Sequence, residues 1–575
     1  MIMALLRAIG NFLGRKKEVT AMMKHLVVHV AFIAVCFCAL PAHGATYYLS
    51  TTGSDSNSGT ASQPWQTPHH NLKCGDVIQA AKGSYNGWYF WEGEWGTVTG
   101  TGHCVAELHC TTFDTCIVNT SQNGTTGAFW VDQSHWMIDG WEVQGSVANS
   151  NIVSCFVATP NTATPANIQD IIFANDIANG CQNGGFIAHN LGGSTTISYD
   201  YVNFVGDIAF NAAQTGNECD SGIGIYEPIV ADYTTGTHIY IAGNFSYGNL
   251  DANPCAGTLP SDKPTDGEGI IIDTLDYSQS GGTPYVAQVG IENNIVVNNG
   301  GRGLEVTNNS AGSQNAYVFF KNNTSWGNER DPNQLFCLGN GELLVNAAKN
   351  VQAFNGIYAT ATADGCTGDA IYGAAVGSGD TSDLIEYSSI YGIDGNNTFV
   401  NGGTFTFANQ TGNTIGTNPS FANAVAPGAP SCSGYANTVA CMAKVISNFK
   451  ASGSGTSGNG YQAPTTGSYD PFFPQWLCTV GLPSGIVTMG CEPAATPAFS
   501  LAAGTYVMPQ SLTLSDSTTG STIFWCSVTS GTCTPATKYT GVIDIDPSTT
   551  ETVCAFASAP AYNQSATLCE AYKAS

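Results

Sequence analysis

Five stretches of this chain repeat one hydrophobic–polar pattern: "IFANDIANG", "YVNFVGDIA", "IYIAGNFSYGN", "VGIENNIVVNN" and "VFFKNNTSWGN". Each is a short apolar β-type run, an Asn, about three apolar residues, and a Gly or Asn. The anchoring residues are Asn175, Asn203, Asn244, Asn294 and Asn323, and a weaker copy, "NNTFVNGG", recurs at Asn397. One strand–turn unit per period of roughly 20–50 residues predicts stacked coils rather than a single globular core. Stacked coils also stack their turns, where a ladder of Asn side chains can satisfy buried polar groups. Long helical periodicity is lacking; "NTVACMAKVISNF", near 437–449, is the one helical stretch.

The chain has 575 residues with 67 Gly, 24 Pro and 10 % charged residues. That composition fits many turns between short strands and is too apolar and aromatic for disorder. Residues 1–44 read as an export signal. Arg15, Lys16, Lys17 and Lys24 precede the apolar run "LVVHVAFIAVCFCAL", and "PAHGA" supplies small residues for cleavage. The apolar run is too short for a spanning helix, so membrane insertion is not expected. Without residues 1–44 the chain holds 11 Lys and Arg against 41 Asp and Glu. Such a surface repels nucleic acid and anionic lipid. It accepts a neutral partner, or an anionic one bridged by a divalent cation. The 18 Cys left after Cys36 and Cys38 are an even number, and in an exported chain they suggest disulfides. Cys181 with Cys219, and Cys526 with Cys533, are the readable pairs.

The mature start, "ATYYLSTTGSDSNSGTASQPWQTPHH" followed by "GDVIQAAKGSY", resembles the opening of secreted right-handed parallel β-helix proteins of the pectate-lyase-like superfamily. Among enzymes it is most similar to the ninth family of polysaccharide lyases. The resemblance runs to about residue 425. It implies a β-helix over 45–425 and a secreted, monomeric protein acting on a polysaccharide. The superfamily also holds glycoside hydrolases, epimerases and tailspikes, so it implies fold more firmly than activity. Residues 426–492, with "APGAPSCSGYANT" and "YDPFFPQWLCTVGLPSG", are expected to cap the last coil. Residues 493–575 show short alternating strands, as a β-sandwich does. They resemble the immunoglobulin-like C-terminal module of chitobiases at Phe499, Gly504, Tyr506, Gly520, Ile523, Tyr539, Ala555, Tyr562 and Tyr572. The Thr/Asp/Gly turn of that module is replaced by Cys526 to Cys533.

Three segments, "DSGIGIYEP", "DGEGIIIDT" and "GGRGLEVTN", superpose on Gly222, Gly267 and Gly301. Alternation then sends Ile225, Ile270 and Leu304 inward and Tyr226, Ile271, Glu305, Asp273 and Thr307 outward. Glu268 falls beside Arg302, with Glu218, Asp220 and Asp266 in the turns before. The insert 250–265 forms a cleft wall carrying Lys263. Three chemistries fit. Glu218, Asp220 and Asp266 could bind Ca²⁺ for β-elimination of a uronate polymer, as the resemblance implies, with Arg302 or Lys263 as base. Glu268, Asp273 and Glu305 could instead supply paired carboxylates for glycoside hydrolysis. A ladder salt bridge in a non-catalytic glycan-binding or adhesin protein is the third. Trp88 and Trp91 in "WYFWEGEWG" could stack on sugar, and His135 and His189 read as turn or core residues.

Overall fold

A computed structural model of the protein describes residues 44–575, apart from 87–94, 120–127, 146–153, 214–219, 233, 235, 251–265, 309–315, 331–340, 362–369, 375–382, 393–399, 402–410, 466, 468, 547–549 and 560–561. The export signal therefore lies outside the described residues. The protein is a right-handed parallel β-helix followed by a small β-sandwich. Three parallel sheets run along the solenoid, with 11 strands in sheet A, 11 in sheet B and 9 in sheet C. One coil shows the order: Tyr199–Val205 in sheet A, Ile208–Phe210 in B and Ile223–Tyr226 in C, before Thr237–Ala242 restarts sheet A.

The interior is stacked by residue type. Phe129, Phe156 and Phe186 lie face to face at 5.0 and 4.6 Å between centroids. Further along, Ile223, Ile270, Leu304 and Leu343 form one fully buried row of sheet C. Ile270 and Leu304 point inward, as the sequence predicts, and so does Ile225.

Two ladders close the turns. At the A–B turn, the Asp207 N–H donates to Asn244 Oδ1 at 2.7 Å, Asn244 N–H to Asn294 at 2.9 Å, and Asn294 N–H to Asn323 at 3.0 Å. Each Asn amide in turn donates to a strand carbonyl: Phe204, Ile241 and Ile291. At the B–C turn, Asn249, Asn299 and Asn328 repeat the device. Two expected anchors are displaced. The ladder positions in the earlier coils are Asp176 and Asp207; Asn203 sits inside a strand, opposite Ile172 and Tyr240. Asn175 precedes its ladder position by one residue and bonds elsewhere.

An acid in an amide ladder has a pH signature. Asp176 Oδ1 accepts from Trp141 N–H and Asp207 Oδ1 from Asp176 N–H, at 2.7 and 2.8 Å. Their second oxygens are buried with no partner. Burial pushes both carboxyls well above the ordinary range, and the charge of Asp139 adds to it. A folded pKa above the unfolded one means stability is fully present below pH ~4 and declines as pH rises toward the folded value. Asp207→Asn restores the missing amide donor. It is expected to stabilise the fold at pH 7 by about 1–3 kcal/mol, the cost of an unsatisfied buried polar group, and to flatten the pH dependence. Denaturant melts at pH 4.5 and 7 test this; a lower midpoint than wild type at pH 7 would refute it.

Seven disulfides are present among the described residues, a pattern of oxidising compartments. Cys526–Cys533 forms as read from the sequence. Cys181 bonds Cys155 rather than Cys219, which lies outside the described residues. Among the described residues no helix is long and apolar enough to cross a membrane.

The segment expected to cover the last coil reaches much further. It includes two short helices, Thr438–Cys441 and Ala443–Asn448, and runs back along the outer faces of sheets A and B as a strap. Thr438 N–H donates to Asn175 Oδ1 at 2.8 Å, Gln462 N–H to Asn293 and Tyr461 N–H to Thr324. Lys321 is clasped by Glu292 at 3.0 Å and by Asp470. Phe473, Trp476, Leu477 and Ile486 bury the outward apolar residues Ile172, Tyr201, Val205 and Tyr240. The strap thereby covers outward apolar residues of sheets A and B in the central coils. In residues 494–575 a five-stranded sheet packs around Leu512, Ile523, Ile545, Val553 and Tyr572.

Candidate functional site

Glycines set the start of each sheet C strand in the central coils. A Cβ on Gly222, Gly269 or Gly303 would meet Ser246, Val296 or Ser325 at 1.9–2.3 Å, and the ladder amides of Asn249, Asn299 and Asn328 lie at 2.4–2.8 Å. Only glycine lets the chain close on the ladder there. The residues just before, Ser221, Glu268 and Arg302, are thus brought into one row.

In that row Arg302 Nη1 lies 2.8 Å from Glu268 Oε1 and 3.3 Å from Glu305 Oε2. Ser221 Oγ donates to the other Glu268 oxygen at 2.8 Å. All three charged groups are at most 4 % exposed. Burial works against the Arg302 charge, but Glu305 and Glu268 outweigh it and push its pKa up. Glu305 is pushed well above the carboxylate range by burial; Arg302 opposes the shift and Glu268 and Asp266 add to it.

The second row lies at the strand ends: Tyr226, Asp273, Thr307 and Asn346 stand side by side on successive strands, all partly exposed. The sequence superposition is off by two residues in its first step, because Ile223 pairs with Ile270; Tyr226 therefore adjoins Asp273 rather than Ile271. The second step, Ile270 with Leu304, holds. Ile271 and Glu305 point away from the core as expected but are covered, at 3 % and 4 % exposure.

Asp273 is pushed well above the ordinary range by burial, then by the charges of Asp266, Glu268 and Glu227. The Tyr226 ring folds over Gly224, and its hydroxyl is buried without a hydrogen-bond partner. Burial and the charges of Asp266, Asp220 and Asp273 raise its pKa. Asp220 directs Oδ2 to the Gly184 N–H at 3.1 Å, and Asp266 is half-buried. Glu218, Lys263, Trp88 and Trp91 lie outside the described residues.

Sequence reasoning missed Glu227. It is 4 % exposed and accepts from Ser280 N–H at 2.9 Å and Asn190 at 2.7 Å, fixing the loop after Asp273 as a wall of the face. Gln279 on that loop reaches Asp273 at 3.4 Å. His135 is not isolated either: it and His103 share Asp170, at 2.9 and 2.7 Å.

No family model and no curated protein matches this chain. Solved structures do. A GH136 lacto-N-biosidase from Eubacterium ramulus matches with TM-score 0.31 and 11 % identity, over 59 % of this chain and 67 % of that one. A rhamnogalacturonan lyase matches at 0.31 and 14 %, over 60 % and 87 %. XylC, solved with xylose, matches at 0.30 and 10 %, over 60 % and 75 %. At these scores the chain's own residues, not its neighbours, decide the reading.

Proposed function

We propose that this is an exported protein that hydrolyses glycosidic bonds of a polysaccharide on the outer face of sheet C, using paired carboxylates. The observation that carries the reading is Asp273. It is a partly exposed carboxyl whose pKa is pushed up by burial and then by the charge of Asp266. A raised carboxyl donates its proton to the leaving glycosidic oxygen, while a second, ionised carboxylate takes a proton from the attacking water. We assign the second role to Asp266, half-buried just before the strand that Asp273 ends. Glu268, Glu305 and Arg302 are buried beneath and act by position, holding the field around the exposed pair. Tyr226 provides a ring beside Asp273 for a sugar face.

Calcium-assisted β-elimination is the second reading. It is favoured by the crowd of carboxylates around the unpartnered Tyr226 hydroxyl, where Asp220 and Asp266 would hold the cation. A bound Ca²⁺ would neutralise a uronate carboxylate. Ca²⁺ takes six to eight oxygens, however; among the described residues these two fall short of that set, and Glu218 lies outside them. Elimination also needs a base, and Arg302 is fixed in its charged form between two glutamates.

Product analysis on neutral and acidic plant and microbial polysaccharides tests both. Hydrolysis yields saturated reducing ends whose release is insensitive to chelator. Unsaturated, ultraviolet-absorbing ends that vanish with chelator would overturn it in favour of the lyase. Retained binding without cleavage would leave a glycan-binding surface protein.

A further inference from the structure

A second cluster lies on sheet A, away from the face described above. In the strand Ala106–Cys110, Ala106, Leu108 and Cys110 are buried inward at 0–1 % exposure, which sends Glu107 and His109 to the outer face. The next coil places Asp139 directly opposite His109. His109 Nδ1 lies 2.5 Å from Asp139 Oδ2 and 3.4 Å from Glu107 Oε1, and one ligand atom from each residue falls within 4.8 Å of the others. Three donors thus converge on one point.

The point opens into a cleft of about 450 Å³ between sheet A and the strap, whose far wall is formed by Asn437 and Leu482–Ser484. Charge is unbalanced there. Two carboxylates face one imidazole, and among the described residues no Lys or Arg lines the cleft. Asp139 is 3 % exposed, and its other oxygen accepts from the Asn175 amide at 3.3 Å. The same Asn175 accepts from the strap through Thr438 N–H. An outer hydrogen bond that fixes the ligand carboxylate is what metal sites use to orient their donors.

We infer that Glu107, His109 and Asp139 form a binding site for a divalent transition metal of the Zn²⁺ class, at the junction of the solenoid and its strap. One imidazole nitrogen with two carboxylate oxygens suits Zn²⁺, Mn²⁺ or Fe²⁺; Ca²⁺ prefers an all-oxygen set of higher number. The remaining coordination positions face the cleft.

The test is calorimetric titration of Zn²⁺ into the chelator-stripped full-length protein, with Ca²⁺ as the comparison ion. Wild type is expected to bind one Zn²⁺ saturably and Ca²⁺ at least tenfold more weakly. Glu107→Gln and His109→Ala are each expected to weaken Zn²⁺ binding tenfold or more. Glu107→Gln, at a partly exposed position, is expected to keep the metal-free melting temperature of wild type. Zn²⁺ binding equal in wild type and both variants, absent from wild type, or matched by Ca²⁺ would overturn the site.

Discussion

Asp273→Asn is expected to lower kcat for glycoside cleavage by about 10²–10⁴-fold, the range a positioned general acid contributes. The asparagine keeps the size and the contact to Gln279 but has no proton to give. KM and melting temperature are expected to stay near wild type, because the position is partly exposed and the contact to Gln279 is kept. The pH profile carries the same information. The wild-type carboxyl is pushed above the ordinary carboxylate range, so the alkaline limb of the profile, where activity falls as the acid loses its proton, is displaced upward. In Asp273→Asn that alkaline limb is lost together with the rate. A variant that retains more than a tenth of wild-type kcat would remove Asp273 from the chemistry.

Arg302→Met is expected to be among the most destabilising single changes in the solenoid. It leaves Glu268 and Glu305, at 0 % and 4 % exposure, without their shared cation. Breaking a buried pair by removing one partner costs about 3–5 kcal/mol. The sign with pH follows from Glu305. Its carboxyl is already raised by burial in the wild type, and Arg302 is the influence that opposes the rise. Without Arg302 the folded-state value climbs further. Stability lost on raising the pH from 4 to 7 is therefore larger in the variant, since a raised folded pKa disfavours the fold above the unfolded value. Urea melts at the two pH values measure the difference. The double variant Arg302→Met/Glu268→Met, which removes one stranded charge, is expected to recover part of the loss. Equal midpoints for wild type and Arg302→Met at pH 7 would sink the idea that the guanidinium holds this row together.

The fold is legible in the sequence where the ladders are built from Asn. Asn244, Asn294 and Asn323, each followed five residues later by Asn249, Asn299 and Asn328, mark both turns of three coils. The reading slips where another residue does the same work. Asp207 occupies a ladder position, so the nearby Asn203 takes its place in a pattern search although it lies within a strand. In the candidate site, Glu268 beside Arg302 is legible because the two coils differ by a fixed offset with matching glycines. The offset between Tyr226 and Asp273 is not, because glycines at Gly267 and Gly269 compete as anchors. The Glu107, His109 and Asp139 cluster leaves no sequence signal, since it spans two early coils that lack an Asn pair. The strap is hidden for a different reason. Phe473, Trp476 and Ile486 pack from irregular backbone, where apolar residues follow no period.

The strap also dictates an order of events during biosynthesis. Neighbouring coils pair residues some 30–50 positions apart, so each coil can settle on the one before it as the chain emerges. The bond from Thr438 to Asn175 spans 263 residues and cannot form until the solenoid behind it has been made. Through that interval Ile172, Val205 and Tyr240 form a bare oily stripe down one flank, the kind of surface on which nascent chains stick to one another. The last stretch to be synthesised before the sandwich is thus the one that renders coils made long before it safe in water.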